Sequence, residues 1–89
     1  MKYIPCYLKL RLEGDYAIVM TKEYQLFLLN KMGYEILVSI KKYEDLCDVV
    51  NYLSDLYDVD SKRIKKDIHE YIHFMIKNKL VTTHEEELR

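Results

Sequence analysis

The stretch Tyr24-Gln25-Leu26-Phe27-Leu28-Leu29-Asn30-Lys31-Met32-Gly33-Tyr34-Glu35-Ile36-Leu37 limits the fold more than any other part of this chain. Residues 24–29 read as a strand. Successive strand side chains point to opposite sides, so this one carries large apolar groups on both faces. From Asn30 onward the period changes: Met32, Ile36, Leu37 and Ile40 recur at helical spacing. Asn30 suits the N-cap, where its side-chain oxygen can accept from an orphan amide of the first turn. The strand therefore runs directly into an amphipathic helix. One strand face can be buried by the chain's own helices. The other face and an open strand edge still need cover, which in so small a chain can come from another molecule. This segment is a candidate docking site for an extended peptide.

At 89 residues the chain is one domain or a piece of a longer protein. A folded chain of this size hides only about 65% of its unfolded surface, which leaves little volume for a deep, water-excluded catalytic cavity. The 14 Lys and Arg side chains nearly cancel the 15 Asp and Glu, so the overall balance calls for neither nucleic acid nor an anionic membrane. Cys6 and Cys47 lack metal-ligand spacing and read as free thiols in a reducing compartment. No apolar run approaches a transmembrane span, and Pro5 interrupts the N-terminus too early for a signal peptide. The chain reads as cytoplasmic.

Strands come first. Leu8, Leu10 and Leu12 alternate with Tyr7, Lys9 and Arg11, which places the three leucines on one face. Glu13-Gly14-Asp15 signals a turn, Tyr16 to Met20 a second strand, and Thr21-Lys22-Glu23 a short connection to the third. Three helices follow. The first carries Lys41 and Lys42 at its C-terminal end, where cations favour the helix dipole. The second begins near Glu44 and Asp45 and buries Leu46, Val49, Val50, Leu53 and Tyr57. The third spans roughly residues 61–79, capped by Asp60 or Ser61, with a stripe of Ile64, Ile68, Tyr71, Ile72, Met75 and Ile76. Leu80 to Thr83 reads as a short extended exit, and residues 84–89 as a charged, flexible tail. Strands grouped before helices predict an α+β fold: a three-stranded antiparallel sheet followed by three helices, winged-helix-like.

Nothing in the chain looks catalytic. His69-Glu70-x-x-His73 has the spacing of a zincin metalloprotease helix, but no third ligand and no substrate cleft accompany it, and His84 lies in the tail. The histidines read as surface polar residues, with no metal and no cofactor expected. Neither cysteine has a local activating partner, and Gly14 and Gly33 stand too far apart to form a phosphate-binding loop. Of the nine tyrosines, Tyr43, Tyr52, Tyr57 and Tyr71 fit core or core-rim positions, and the type is also common at interfaces. The alternative function is a winged-helix DNA-binding module, a transcription regulator, with Lys62-Arg63-Ile64-Lys65-Lys66 opening its recognition helix. Against it, Asp67 and Glu70 follow at once, and only Leu80 to Thr83 could supply a wing.

The segment Leu29-Asn30-Lys31-Met32-Gly33-Tyr34-Glu35-Ile36-Leu37 resembles the strand-to-helix signature Leu-Asn-x-x-Gly-x-x-Ile-Leu of the PqqD-like family. Tyr57-Asp58-Val59, followed by residues 67–75, is similar to that family's Tyr-Asp-Val and Asp-Val-x-x-Phe-Leu-x-x-Leu ending, and Lys79-Leu80-Val81 stands where Gly-Leu-Ile is frequent. The likeness covers roughly residues 7–81. It departs at Lys41-Lys42, which replaces a glycine-containing turn, and at Lys79, which replaces the late glycine.

The resemblance implies a peptide-recognition domain over residues 1–83, a recognition element or peptide chaperone for ribosomally made, post-translationally modified natural products. The precursor's leader would add as a strand to the third β-strand and lie against the third helix, without catalysis by this chain. Implied partners are the precursor peptide and a separate modifying enzyme: a radical SAM maturase, a cyclodehydratase, or the leader peptidase of lasso-peptide systems. The peptide-contacting residues expected are Tyr24, Gln25, Leu26, Phe27 and Leu28 on the strand, with Lys65, His69, Ile72 and Ile76 on the third helix. Phe27 and Leu29 are expected to face the helices and Tyr24, Leu26 and Leu28 the groove, although alternation alone also allows the reverse. The Lys65–His69 flank could receive a leader carboxylate. An open edge could also pair with a second copy of the chain.

Overall fold

The computed structural model describes residues 2–43 and 45–88; Glu44, expected beside Asp45 at the start of the second helix, lies outside them. Strands β1 (Tyr3–Pro5), β2 (Tyr7–Glu13), β3 (Tyr16–Thr21) and β4 (Leu26–Asn30) precede helices α1 (Lys31–Tyr43), α2 (Leu46–Tyr57) and α3 (Ser61–Lys77). Strand β5 (Val81–Thr83) and a helical turn, α4 (His84–Glu87), follow. The residues expected to form the tail thus open with a helical turn. The sheet β2-β3-β4 is the expected antiparallel meander, with β4 at an edge. Gly14, at φ 63°, begins the two-residue loop between the paired residues Glu13 and Tyr16, a conformation that glycine adopts without a Cβ clash.

The leucine alternation in β2 needs correction. Its pairing shifts by one residue between Tyr7 and Lys9, a bulge that takes Leu8 off the face carrying Leu10 and Leu12. Beyond the bulge Tyr7 pairs with buried Thr21, while Leu10 pairs with Val19 and Leu12 with Ala17. Tyr7 therefore joins the core side, and Leu8 is exposed.

Helices pack on that inner face. Ala17, Val19 and Leu29 from the sheet meet Ile36, Leu37 and Ile40 of α1, Val49 and Leu53 of α2, and Ile64, Ile68, Ile72 and Met75 of α3. Local chemistry sets the helix boundaries. Asn30 Oδ1 accepts from the Gly33 amide at 2.9 Å, Asp45 Oδ1 from Cys47 at 2.9 Å, and Asp60 Oδ1 from Lys62 at 3.2 Å. Asp60 rather than Ser61 is the third cap. Ile76, expected in the buried stripe of α3, lies at its margin and is exposed.

The β1–β5 ribbon adds an element absent from the expected order. Tyr3, Ile4 and Pro5 pair with Thr83, Thr82 and Val81, and flanking backbone bonds run from Cys6 to Leu80 and from His84 to Lys2. What reads as an extended exit is thus a strand tied to the start of the chain.

Candidate functional site

The edge of β4 is the site's first component. Thr21 donates its amide to the Gln25 carbonyl at 2.9 Å, and the ladder continues through Met20↔Leu26, Val19↔Phe27 and Ala17↔Leu29. Backbone polar groups alternate direction along a strand, so Phe27 and Leu29 bond toward β3 while Leu26 and Leu28 present their N–H and C=O groups outward. No neighbouring strand takes them among the described residues. An unpaired row of this kind is a template for another extended chain.

Side chains follow the same alternation. Leu29 is buried and Phe27 half-buried on the helical side, whereas Leu26 is 62% and Leu28 71% exposed on the outer side. The expected inward direction of Phe27 and Leu29 holds, but of the residues expected at the groove Leu26 lies instead with Lys9, Arg11, Ile18 and Met20 on the outer sheet face. Tyr24 and Gln25 belong instead to the β3–β4 loop. Tyr24 donates its amide to the Thr21 carbonyl at 3.0 Å, and Thr21 Oγ1 accepts the Gln25 amide at 3.0 Å. Tyr24 takes the left-handed conformation, φ 67°, with its side chain exposed. This is a three-residue hairpin loop closed by a bulge, at the position glycine usually occupies.

The second component is a groove of about 700 Å³ between β4, the start of α1 and α3, lined by Leu28, Leu29, Asn30, Met32, Asp67, Glu70, Tyr71 and Phe74. Phe27 and Phe74 meet edge to face, with ring centroids 6.0 Å apart, and close one end. Gly33 lets the walls approach: a Cβ there would stand 3.1 Å from Leu29 Cβ and 3.2 Å from the Tyr71 ring. The groove therefore offers apolar surface from Met32, Tyr71 and Phe74, with two exposed carboxylates, beside an open strand edge.

The helix residues expected at this wall lie elsewhere. Lys65 and His69 line a separate cleft against α2 with Leu46, Cys47, Val50, Asn51, Ser61 and Lys62. Ile72 is in the core, and Ile76 lines a depression beside β1 and β5. The face of α3 turned to β4 carries Asp67, Glu70, Tyr71 and Phe74, at spacings of three and four residues along the other flank of the buried stripe. Sequence reasoning missed these four because each flank of an apolar stripe has helical spacing, and periodicity does not say which flank meets the sheet. Among the described residues no group of three His, Cys, Asp or Glu side chains converges as metal ligands, and no helix is long and apolar enough to cross a membrane. Neither Cys6 nor Cys47 is in a disulfide.

Residues 15–81 match the family described as Coenzyme PQQ synthesis protein D (PqqD). The chain belongs to the PqqD family. Among solved structures, one described as "TbiB1 in Complex with the TbiA(beta) Leader Peptide" superposes with a TM-score of 0.75, covering 91% of this chain and 94% of that one at 16% identity. That likeness establishes a shared fold. A search of curated proteins finds no match.

The PqqD signature has a physical reading in this chain. Leu29 anchors the strand in the core, Asn30 caps the helix onto the Gly33 amide, and Gly33 admits the close approach of Leu29 and Tyr71. In the Tyr57-Asp58-Val59 motif, Asp58 ends α2 in the left-handed conformation, φ 52°. The two departures resolve differently. Lys41 and Lys42 lie inside α1, which continues to Tyr43. Lys79 keeps the backbone geometry suited to glycine, with φ 63°.

Proposed function

We propose that this PqqD-family chain binds the leader segment of a ribosomally made precursor peptide as an added strand on β4, and presents it to a separate modifying enzyme. The observation that carries this is the outward-facing backbone of Leu26 and Leu28 beside a groove walled by α3. The family membership and the fold shared with a protein seen holding a leader peptide support it. The chain acts as a non-catalytic cytoplasmic adaptor, and the chemistry resides in a partner such as a radical SAM maturase or a leader peptidase. Peptide contacts are assigned to Leu26, Phe27 and Leu28 and to the groove-facing side of α3. The segment after α3 forms β5, paired with β1, so no two-stranded wing follows the helix among the described residues, and nothing favours DNA binding.

The test is a titration of isotope-labelled protein with synthetic leader segments of candidate precursors, read by amide chemical shifts. Shifts at residues 26–30 and at Asp67, Glu70 and Phe74 are expected; shifts confined to α1 and α2 would refute the site. Leu28→Pro isolates the mechanism, because it removes an outward donor and places a ring at the edge, while the β3 ladder uses Phe27 and Leu29. Losing one main-chain hydrogen bond and the close strand approach should weaken binding by at least about tenfold. Equal affinity for a folded Leu28→Pro variant would exclude strand addition. Without peptide, the edge is open to a second copy; sedimentation with and without peptide reads whether the two compete.

A further inference from the structure

The two hollows flanking α3 are lined by side chains of opposite charge. Lys62 and Lys65 line the cleft against α2, whereas Asp67 and Glu70 line the groove beside β4. Arg63 and Lys66 each precede one of these acids by four residues, a spacing that permits ion pairs on a helix, yet neither pair forms among the described residues. The two carboxylates thus face the groove with no cation of their own chain bonded to them. The sequence pattern pointed the opposite way, to a cationic wall receiving a leader carboxylate.

We infer that the strand bound at β4 carries a lysine or arginine that meets Glu70 and Asp67, on the same strand face as an apolar anchor seated by Phe74. This rests on the strand-addition reading and adds the charge class of the ligand and the position of its basic residue.

The spacing follows from the two backbones. Phe27 touches Phe74, and Leu29 approaches Tyr71 around Gly33, so β4 and α3 run in opposite directions along the groove. Its apolar end lies at Phe27 and Phe74, and its acidic end toward Asn30. At about 1.5 Å per residue, Glu70 is displaced from Phe74 by about 6 Å along the helix, and Asp67 by about 10 Å. Same-face residues of a strand are about 6.6 Å apart. A basic residue two positions from the apolar anchor therefore reaches Glu70, and one four positions away reaches Asp67. The intervening residues of the added strand fall on the outer face, beside exposed Leu26 and Leu28, where further apolar side chains extend the sheet surface.

Selection of phage-displayed random decapeptides on the full chain tests this, with the Asp67→Asn/Glu70→Gln variant selected in parallel. Both substitutions are near-isosteric and at exposed positions, where changes usually alter stability by less than about 0.5 kcal/mol. Wild type should enrich Lys or Arg two or four positions from a large apolar residue, and the variant should keep the apolar preference and lose the basic one. For one enriched peptide, Lys→Gln should weaken binding to wild type about fivefold, as expected for one or two exposed ion pairs, and leave binding to the variant unchanged. Peptides that shift the amides of residues 26–30 but are neutral or acidic at those positions would overturn the charge assignment and leave strand addition standing. So would a Lys→Gln effect equal in both proteins. A selection yielding no peptide that shifts those amides would overturn strand addition itself.

Discussion

Lys79 stands at the position after the α3 C-cap where helices commonly place glycine. Its amide donates to the Ile76 carbonyl at 3.2 Å, and the Leu80 amide donates to Met75 at 2.8 Å. Leu80 and Met75 are both fully buried. These two bonds and the apolar contact form a Schellman motif, which requires a left-handed residue at Lys79. A residue with a Cβ pays about 1–2 kcal/mol there, against which glycine's larger unfolded-state entropy costs about 0.5–1 kcal/mol. Lys79→Gly also removes the Lys79–Glu23 ion pair, at 3.8 Å between exposed side chains, worth at most a few tenths of a kcal/mol. The net expectation is a gain of about 0.5 kcal/mol. With an unfolding entropy of about 2.1 cal/mol/K per residue, this raises Tm by about 3 °C. Lys79→Ala is the control, because it deletes the ion pair but keeps the Cβ. Thermal and urea unfolding of the three proteins decide the matter. Lys79→Gly no more stable than wild type, or Lys79→Ala stabilised as much as Lys79→Gly, would refute the backbone argument.

Phe74→Ala should cost about 1–2 kcal/mol in urea unfolding, less than a core phenylalanine because the residue is 39% exposed, and should weaken any peptide seated in the groove. A variant with wild-type affinity for such a peptide would remove Phe74 from the site. Asn30→Ala removes the acceptor for the Gly33 amide and should destabilise by about 1 kcal/mol, measured by urea denaturation; an unchanged midpoint would mean that water satisfies the amide equally well. Alkaline stability is the fourth expectation. Burial, reinforced by Tyr34, raises the Tyr7 phenol above its ordinary value of 10.0. Burial, with Glu35, Tyr71 and Tyr52 nearby, raises Tyr57 likewise. The unfolded chain therefore releases these protons first. Their contribution to stability is complete below pH 10.0 and is lost as pH rises toward the folded-state values. Urea midpoints from pH 8 upward should stay level and then fall, less steeply in Tyr7→Phe/Tyr57→Phe; identical slopes would exclude these two phenols as the cause.

What the sequence by itself determined is local. Asn30 between a two-faced apolar strand and a helical stripe announced the strand-to-helix junction, because capping depends on atoms three residues apart. Alternation along residues 26–29 grouped Phe27 with Leu29 and Leu26 with Leu28, since the period of a strand needs no distant partner, while packing against the helices decided which pair turned inward. Where the backbone left its regular period, that reading failed locally: the bulge at Leu8 exchanged faces at the start of β2, and the left-handed turn at Tyr24 took residues 24 and 25 out of the strand. The tertiary structure alone decided the rest. The β1–β5 ribbon joins residues near opposite ends of the chain, and three residues on either side, one of them Pro5, carry too little pattern to announce it. The orientation of α3 was hidden for a related reason. The buried stripe of Ile64, Ile68, Ile72 and Met75 directs the helix inward, but rotation about that stripe is set by how Tyr71 and Phe74 pack against Gly33 and Phe27. That rotation sends Lys65 and His69 to the α2 cleft and brings Asp67 and Glu70 to the open edge of β4, and so gives the groove its charge.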